Sequence, residues 1–137
     1  LINRCRSFIF TTALPPAVMA MSIAAIDLVK EEPERRQVLW KNCKQLRTGL
    51  KGLGYSLGNS QSQILPLIIG DAALCMKLSE DLLQRGVFAQ GIRPPTVPPG
   101  TSRLRITLMA THTPEHIDQA LKVFKEVAQD MRIEDGK

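Results

Sequence analysis

Arg93-Pro94-Pro95-Thr96-Val97-Pro98-Pro99-Gly100-Thr101-Ser102-Arg103-Leu104-Arg105-Ile106-Thr107 is the stretch whose reading decides the fold. Its four prolines fix φ, so the loop loses little entropy when held in one shape. Arg103 to Leu108 then alternates polar and apolar residues with period two, the pattern of a strand buried on one face. Arg103 and Arg105 share one face of that strand, and Leu104 and Ile106 share the other.

The neighbouring segments extend the pattern in both directions. Downstream, Thr113-Pro114 is an N-cap followed by a proline at the first helical position. The helix it starts runs to about Met131 with Ile117, Leu121, Phe124 and Ala128 inward, and Glu134 to Lys137 form a tail. Upstream, Val87 to Ile92 reads as a strand. Ala72 to Arg85 reads as a helix capped by Asp71, with Leu74, Leu78, Leu82 and Leu83 on one face and Gly86 at its end. Ile64 to Ile69 is a short, apolar, β-branched strand, and Pro66 inside it demands an edge position or a bulge. Tyr55-Ser56-Leu57 is a candidate for a further short strand.

Two helices come first. Leu39, Cys43, Leu46, Leu50 and Leu53 recur every three or four residues in a helix that starts at Pro33 and stops at Gly52 and Gly54. Ala17 to Glu32 is apolar on most faces after Pro15-Pro16, which predicts burial on more than one side. The fold class is therefore α+β: a small, mainly antiparallel sheet with helices on one face, preceded by a long helix. Residues 1–32 form a linker segment and that long helix; residues 33–137 form a small α/β domain.

Composition narrows the function. The net charge of +5 lies wholly in residues 1–54, which carry nine Lys/Arg against four Asp/Glu; the remainder is balanced. A basic third could favour nucleic acid, but the single Trp, single Tyr and four Phe are not interleaved with the basic residues, so no nucleic-acid partner is expected. Cys5, Cys43 and Cys75 are odd in number and far apart, with no histidine nearby, which argues against disulfides and metal and fits a reducing, cytoplasmic setting. The apolar run Ala13–Val29 is interrupted by Pro15, Pro16, Ser22 and Asp27, so no membrane span is expected. The opening Leu1-Ile2-Asn3-Arg4 has no Met and reads as a cut inside a longer chain.

Two guanidiniums on one strand face, Arg103 and Arg105, need an anion, a carboxylate partner or water, and an arginine fork suits a carboxylate bidentately. By periodicity alone both could simply face solvent. Thr11 and Thr12 read first as caps near the proline-initiated helix. His112 and His116 have no carboxylate or cysteine at useful spacing and read as structural.

Phe8-Ile9-Phe10-Thr11-Thr12-Ala13-Leu14-Pro15-Pro16, the run Gly91 to Thr107 and Ala110-Thr111-His112-Thr113-Pro114-Glu115-His116-Ile117 together resemble the α-oxoamine synthases. These are fold type I pyridoxal-phosphate enzymes that condense an amino acid with an acyl-CoA and lose CO2. The resemblance runs in order from Phe8 to about Met131. It implies the C-terminal domain of a homodimeric enzyme, with the helix of residues 17–32 at the junction with a large N-terminal domain. Arg105 would hold the amino-acid carboxylate, Thr96 would contact substrate, and the prolines of 94–99 would line the acyl-chain entrance. Thr11 and Thr12 would reach the cofactor phosphate of the partner subunit. The Ile92-to-Pro98 run points, within the family, to condensation of L-alanine with pimeloyl-CoA in biotin synthesis; a 2-amino-3-ketobutyrate ligase is the alternative. The lysine, aspartate and stacking ring that hold the cofactor lie upstream in the family, so this chain is expected to be inactive alone and to hold no catalytic residue. From another class, a free-standing α+β binding module remains the rival.

Overall fold

The computed structural model describes residues 4–130. Met131, where the last helix was expected to end, and the tail from Glu134 lie outside the described residues, as do residues 1–3. In chain order the elements are α1 (Arg6–Ile9), α2 (Pro16–Glu31), α3 (Glu34–Gly52), β1 (Ile64–Gly70), α4 (Ala72–Gln84), β2 (Gln90–Ile92), β3 (Ser102–Thr107) and α5 (Pro114–Asp130). The chain divides into two units, Leu1–Glu34 and Arg35–Lys137.

In the second unit the strands form one antiparallel sheet in the order β1-β3-β2. The alternating strand is therefore central, and the proline-bearing strand β1 is at an edge, where a missing N–H costs no ladder bond. The pairing sets Leu65 opposite Ile106 and Leu67 opposite Leu104, all four buried. Gly91 of β2 pairs with Leu104 on the same face. A Cβ on Gly91 would come within 2.9 Å of the Met76 sulfur, so the glycine lets α4 lie close over the sheet edge. Leu46 and Leu50 of α3, Cys75, Leu78 and Leu82 of α4, and Ile117, Val123, Phe124 and Val127 of α5 complete a single core. Gly49 in α3 allows the Leu121 side chain to rest against the helix backbone where a Cβ would overlap it.

The helix boundaries follow their punctuation. The Asp71 carboxylate accepts the Leu74 N–H at 2.8 Å, as an N-cap should. Thr113 Oγ1 accepts the His116 N–H at 3.4 Å at the start of α5. Two buried polar groups tie the layers together. Asn42 of α3 donates to the carbonyls of His112 (2.7 Å) and Met109 (3.3 Å), and the Tyr55 hydroxyl donates to the Phe124 carbonyl at 2.9 Å.

Several expectations need correction. Tyr55–Leu57 is not a strand: the Ser56 carbonyl accepts the Ile68 N–H, but no ladder continues from it. Of Val87–Ile92 only Gln90–Ile92 pairs. The Val87 N–H closes the end of α4 on Leu82, and the Ala89 carbonyl is taken by the Ser79 hydroxyl at 2.6 Å, so the earlier residues have left the ladder. Leu83 is exposed, and Cys75 occupies the buried stripe instead. In the first unit, Arg6–Ile9 forms a short helical turn that the apolar run did not announce. No residue of α2 is buried: the faces whose composition predicted burial on more than one side are uncovered in this chain, as expected for the chain taken alone. Its side chains Met21, Ile23 and Val29 are each about 60% exposed.

Candidate functional site

The buried face of β3 leaves its other face open. There Pro66 of β1, Arg105 of β3 and Gln90 of β2 lie in one cross-strand row, and Ile68, Arg103 and Ile92 lie in the next. The two arginines, equivalent by periodicity, are not equivalent in space. The Arg103 Nε donates to the Thr101 carbonyl at 2.9 Å, which folds this side chain back along its own strand. Arg105 is exposed and has no hydrogen-bond or ion-pair partner among the described residues.

Arg105 instead lines a cleft of about 450 Å³, together with Gln90, Arg93, Pro94, Pro95, Thr96 and Met76. The proline loop is shaped by its own turns. The Thr96 N–H returns to the Arg93 carbonyl at 3.0 Å, and both the N–H and the hydroxyl of Thr101 bond the Pro98 carbonyl. This brings Thr96 and Arg105 to one cleft although nine positions separate them in the chain. Arg93 and Gln90 were not singled out in the sequence. Arg93 stood in the quoted loop; Gln90 carried no local signal, because only the β2–β3 register sets it beside Arg105. A free arginine in a cleft has the chemistry to take an anion: the guanidinium stays charged and offers parallel N–H donors to a carboxylate.

Thr11 and Thr12 belong to the first unit, before α2, and are exposed there; no hydrogen bond engages either hydroxyl among the described residues. Neither caps α2, whose N-cap is Pro15 with no side-chain cap bond. His112 and His116 do take structural roles. Their Nδ1 atoms accept the N–H groups of Met109 (3.4 Å) and Thr113 (3.2 Å), bracketing the turn before α5. Burial pushes the thiols of Cys43 and Cys75 up, which keeps them protonated and unreactive. Among the described residues no three His, Cys, Asp or Glu side chains gather as a metal site, and no helix is long and apolar enough to cross a membrane. Every described lysine is exposed on a helix: Lys30 on α2, Lys41, Lys44 and Lys51 on α3, Lys77 on α4, and Lys122 and Lys125 on α5.

The profile of the family Aminotransferase class I and II matches residues 1–124. This chain belongs to that family. Curated relatives called 8-amino-7-oxononanoate synthase are similar over nearly all of it. The protein from Geotalea daltonii is 47% identical over 135 residues, and that from Geobacter metallireducens 48% over 136; each match covers 97% of this chain and 34% of the relative. The chain thus spans about a third of the length of the curated relatives it matches. Among solved structures, serine palmitoyltransferase from Sphingomonas wittichii is 35% identical with a TM-score of 0.87, covering 95% of this chain and 33% of that one. The S. paucimobilis enzyme with a bound PLP–myriocin aldimine is 34% identical at the same TM-score, covering 94% and 33%. An 8-amino-7-oxononanoate synthase from Francisella tularensis, 22% identical with a TM-score of 0.77 over 96% of this chain and 38% of that one, shares the fold. The α+β architecture is that of part of a fold type I pyridoxal-phosphate enzyme.

Proposed function

We propose that this chain is the C-terminal part of an 8-amino-7-oxononanoate synthase, which joins L-alanine to pimeloyl-CoA with loss of CO2 in biotin synthesis. The observation that carries the reading is the unpaired guanidinium of Arg105 in an open cleft lined by the start of the proline loop. The extended identity to synthases of that name supports it. Arg105 binds the amino-acid carboxylate in a two-point fork and so fixes the direction of its Cα. Thr96 contacts substrate, and the prolines of 94–99 line the acyl-chain entrance; Pro94, Pro95 and Thr96 share the cleft with Arg105. The free hydroxyls of Thr11 and Thr12 suit a phosphate oxygen as hydrogen-bond donors, and they reach the cofactor phosphate of a partner subunit in the homodimer. Pyridoxal phosphate, when bound, supplies the electron sink that lets Cα act as a nucleophile.

The lysine that holds the cofactor in this family is assigned to a preceding large domain; every described lysine of this chain is exposed on a helix. Residues 1–32 are the linker and interdomain helix, and residues 33–137 the small domain of that enzyme. The 137-residue chain alone neither retains the cofactor nor turns over substrate. Gel filtration of the chain with pyridoxal phosphate checks this: co-elution of a shifted absorbance band would count against it.

The deciding assay uses the full-length parent enzyme. L-Alanine with pimeloyl-CoA should release CoA and CO2. Turnover confined to glycine with acetyl-CoA would instead assign a 2-amino-3-ketobutyrate ligase. Arg105→Leu should lower kcat/KM for the amino acid by roughly 10- to 100-fold, the worth of hydrogen bonds to a charged group.

A further inference from the structure

A lone arginine is a poor clamp until something orients it. Its long side chain samples many rotamers, and part of that freedom is lost when the fork locks onto a carboxylate. Arg105 meets no carboxylate and no backbone carbonyl among the described residues, whereas Arg103 is already tied to Thr101. The nearest cross-strand side chains to Arg105 are those in its own row. On one side stands Pro66, which has neither donor nor acceptor in its side chain. On the other stands Gln90, directly opposite on β2 and lining the same cleft. Residues paired directly across an antiparallel ladder have Cβ atoms about 5 Å apart, well within reach of these two long side chains.

The Gln90 amide is already half committed. Its Nε2 donates to the Gly91 carbonyl at 3.2 Å, which identifies the nitrogen end and leaves Oε1 as the acceptor without a partner among the described residues. A guanidinium has five N–H donors and a bidentate carboxylate uses two, so one can go to an amide oxygen without weakening the fork. The amide is also the right chemical type. A carboxylate at this position would orient Arg105 but would compete with the substrate for its charge.

We propose that Gln90 is the positioning residue for Arg105: when the amino acid binds, Oε1 of Gln90 accepts one guanidinium N–H, a bond not formed in the free chain, and presents the remaining fork to the carboxylate. This rests on the reading of Arg105 as the carboxylate clamp. It acts through Arg105 and touches no reacting atom, so its signature is a rise in KM for the amino acid alone.

The test uses the full-length enzyme and steady-state kinetics with each substrate varied in turn. Gln90→Leu should raise the amino-acid KM about 3- to 10-fold, the range of one net hydrogen bond, with the acyl-CoA KM unchanged. Gln90→Glu should raise it further, because the new carboxylate occupies the fork. In an Arg105→Leu background, Gln90→Leu should have no additional effect. Gln90→Ala, with a melting curve for every variant, guards against misfolding, which is not expected of an exposed edge-strand side chain. An unchanged amino-acid KM in Gln90→Leu and Gln90→Ala, while Arg105→Leu raises it, overturns the positioning role and leaves the clamp standing. Equal losses with or without Arg105 mark Gln90 as structural and also overturn it. If Arg105→Leu leaves the amino-acid KM unchanged, the clamp reading itself falls and the positioning role falls with it.

Discussion

Helices α2 and α5 differ by one residue in length but stand in opposite relation to solvent. In α5, four apolar side chains (Ile117, Val123, Phe124 and Val127) are buried and the remaining faces are polar. In α2, Met19, Met21, Ile23, Ile26, Leu28 and Val29 point in several directions, and none is buried. A stripe of apolar residues can be satisfied by one sheet and one neighbouring helix. A helix that is apolar on most sides needs neighbours on most sides. The second unit encloses a core of its own, although Trp40, Phe88 and Met109 stay exposed on it; the first has no buried residue in its long helix and carries mostly uncovered apolar surface.

The sharpest way to break this contrast is to empty the core of the second unit. Phe124→Ala should cost about 3–5 kcal/mol in denaturant unfolding, whereas Ile23→Ala in α2 should change stability by no more than about 0.5 kcal/mol. Equal losses would mean that α2 is packed as tightly as α5. Next comes the polar tie between α3 and the turn before α5. Asn42→Leu removes the donor that serves two carbonyls and strands them in a nearly closed site, at a cost of roughly 2 kcal/mol. A melting temperature equal to the parent's would show that those carbonyls find other donors.

Tyr55→Phe should cost about 1 kcal/mol through the bond to the Phe124 carbonyl. Burial pushes the Tyr55 hydroxyl up to about 12 from its ordinary value of 10.0. The folded chain therefore keeps a proton that the unfolded chain loses, so this contribution to stability is present below pH 10 and declines as pH rises toward 12. The Phe variant should lack that part of the alkaline decline, and identical pH profiles would contradict the assignment. The smallest effect on stability belongs to Ile23→Lys with Ile26→Lys. These should leave the unfolding transition in place and lower the self-association of the 137-residue chain in light scattering; a parent chain that is already monomeric at all concentrations would remove the interface reading of α2.

Much of this was legible in order along the chain. The Arg103–Leu108 alternation gave a strand with one buried face, Pro66 demanded an edge, and Asp71 and Thr113-Pro114 marked two helix starts, because each is a local rule of backbone sterics and side-chain period. For the two misread strand segments, a bond to a residue distant in the chain had won. The Ser79 hydroxyl captured the Ala89 carbonyl and shortened β2, and Tyr55 was drawn into the core by Phe124 rather than into a ladder. Arg103 and Arg105 mark the boundary in the candidate site. Spacing set both on the open face of one strand, because side chains alternate with period two. Only the tertiary structure separated them, folding Arg103 back onto Thr101 and setting Arg105 between Pro66 and Gln90 in the cleft beneath the proline loop, because cross-strand register and loop path join residues that no local rule relates.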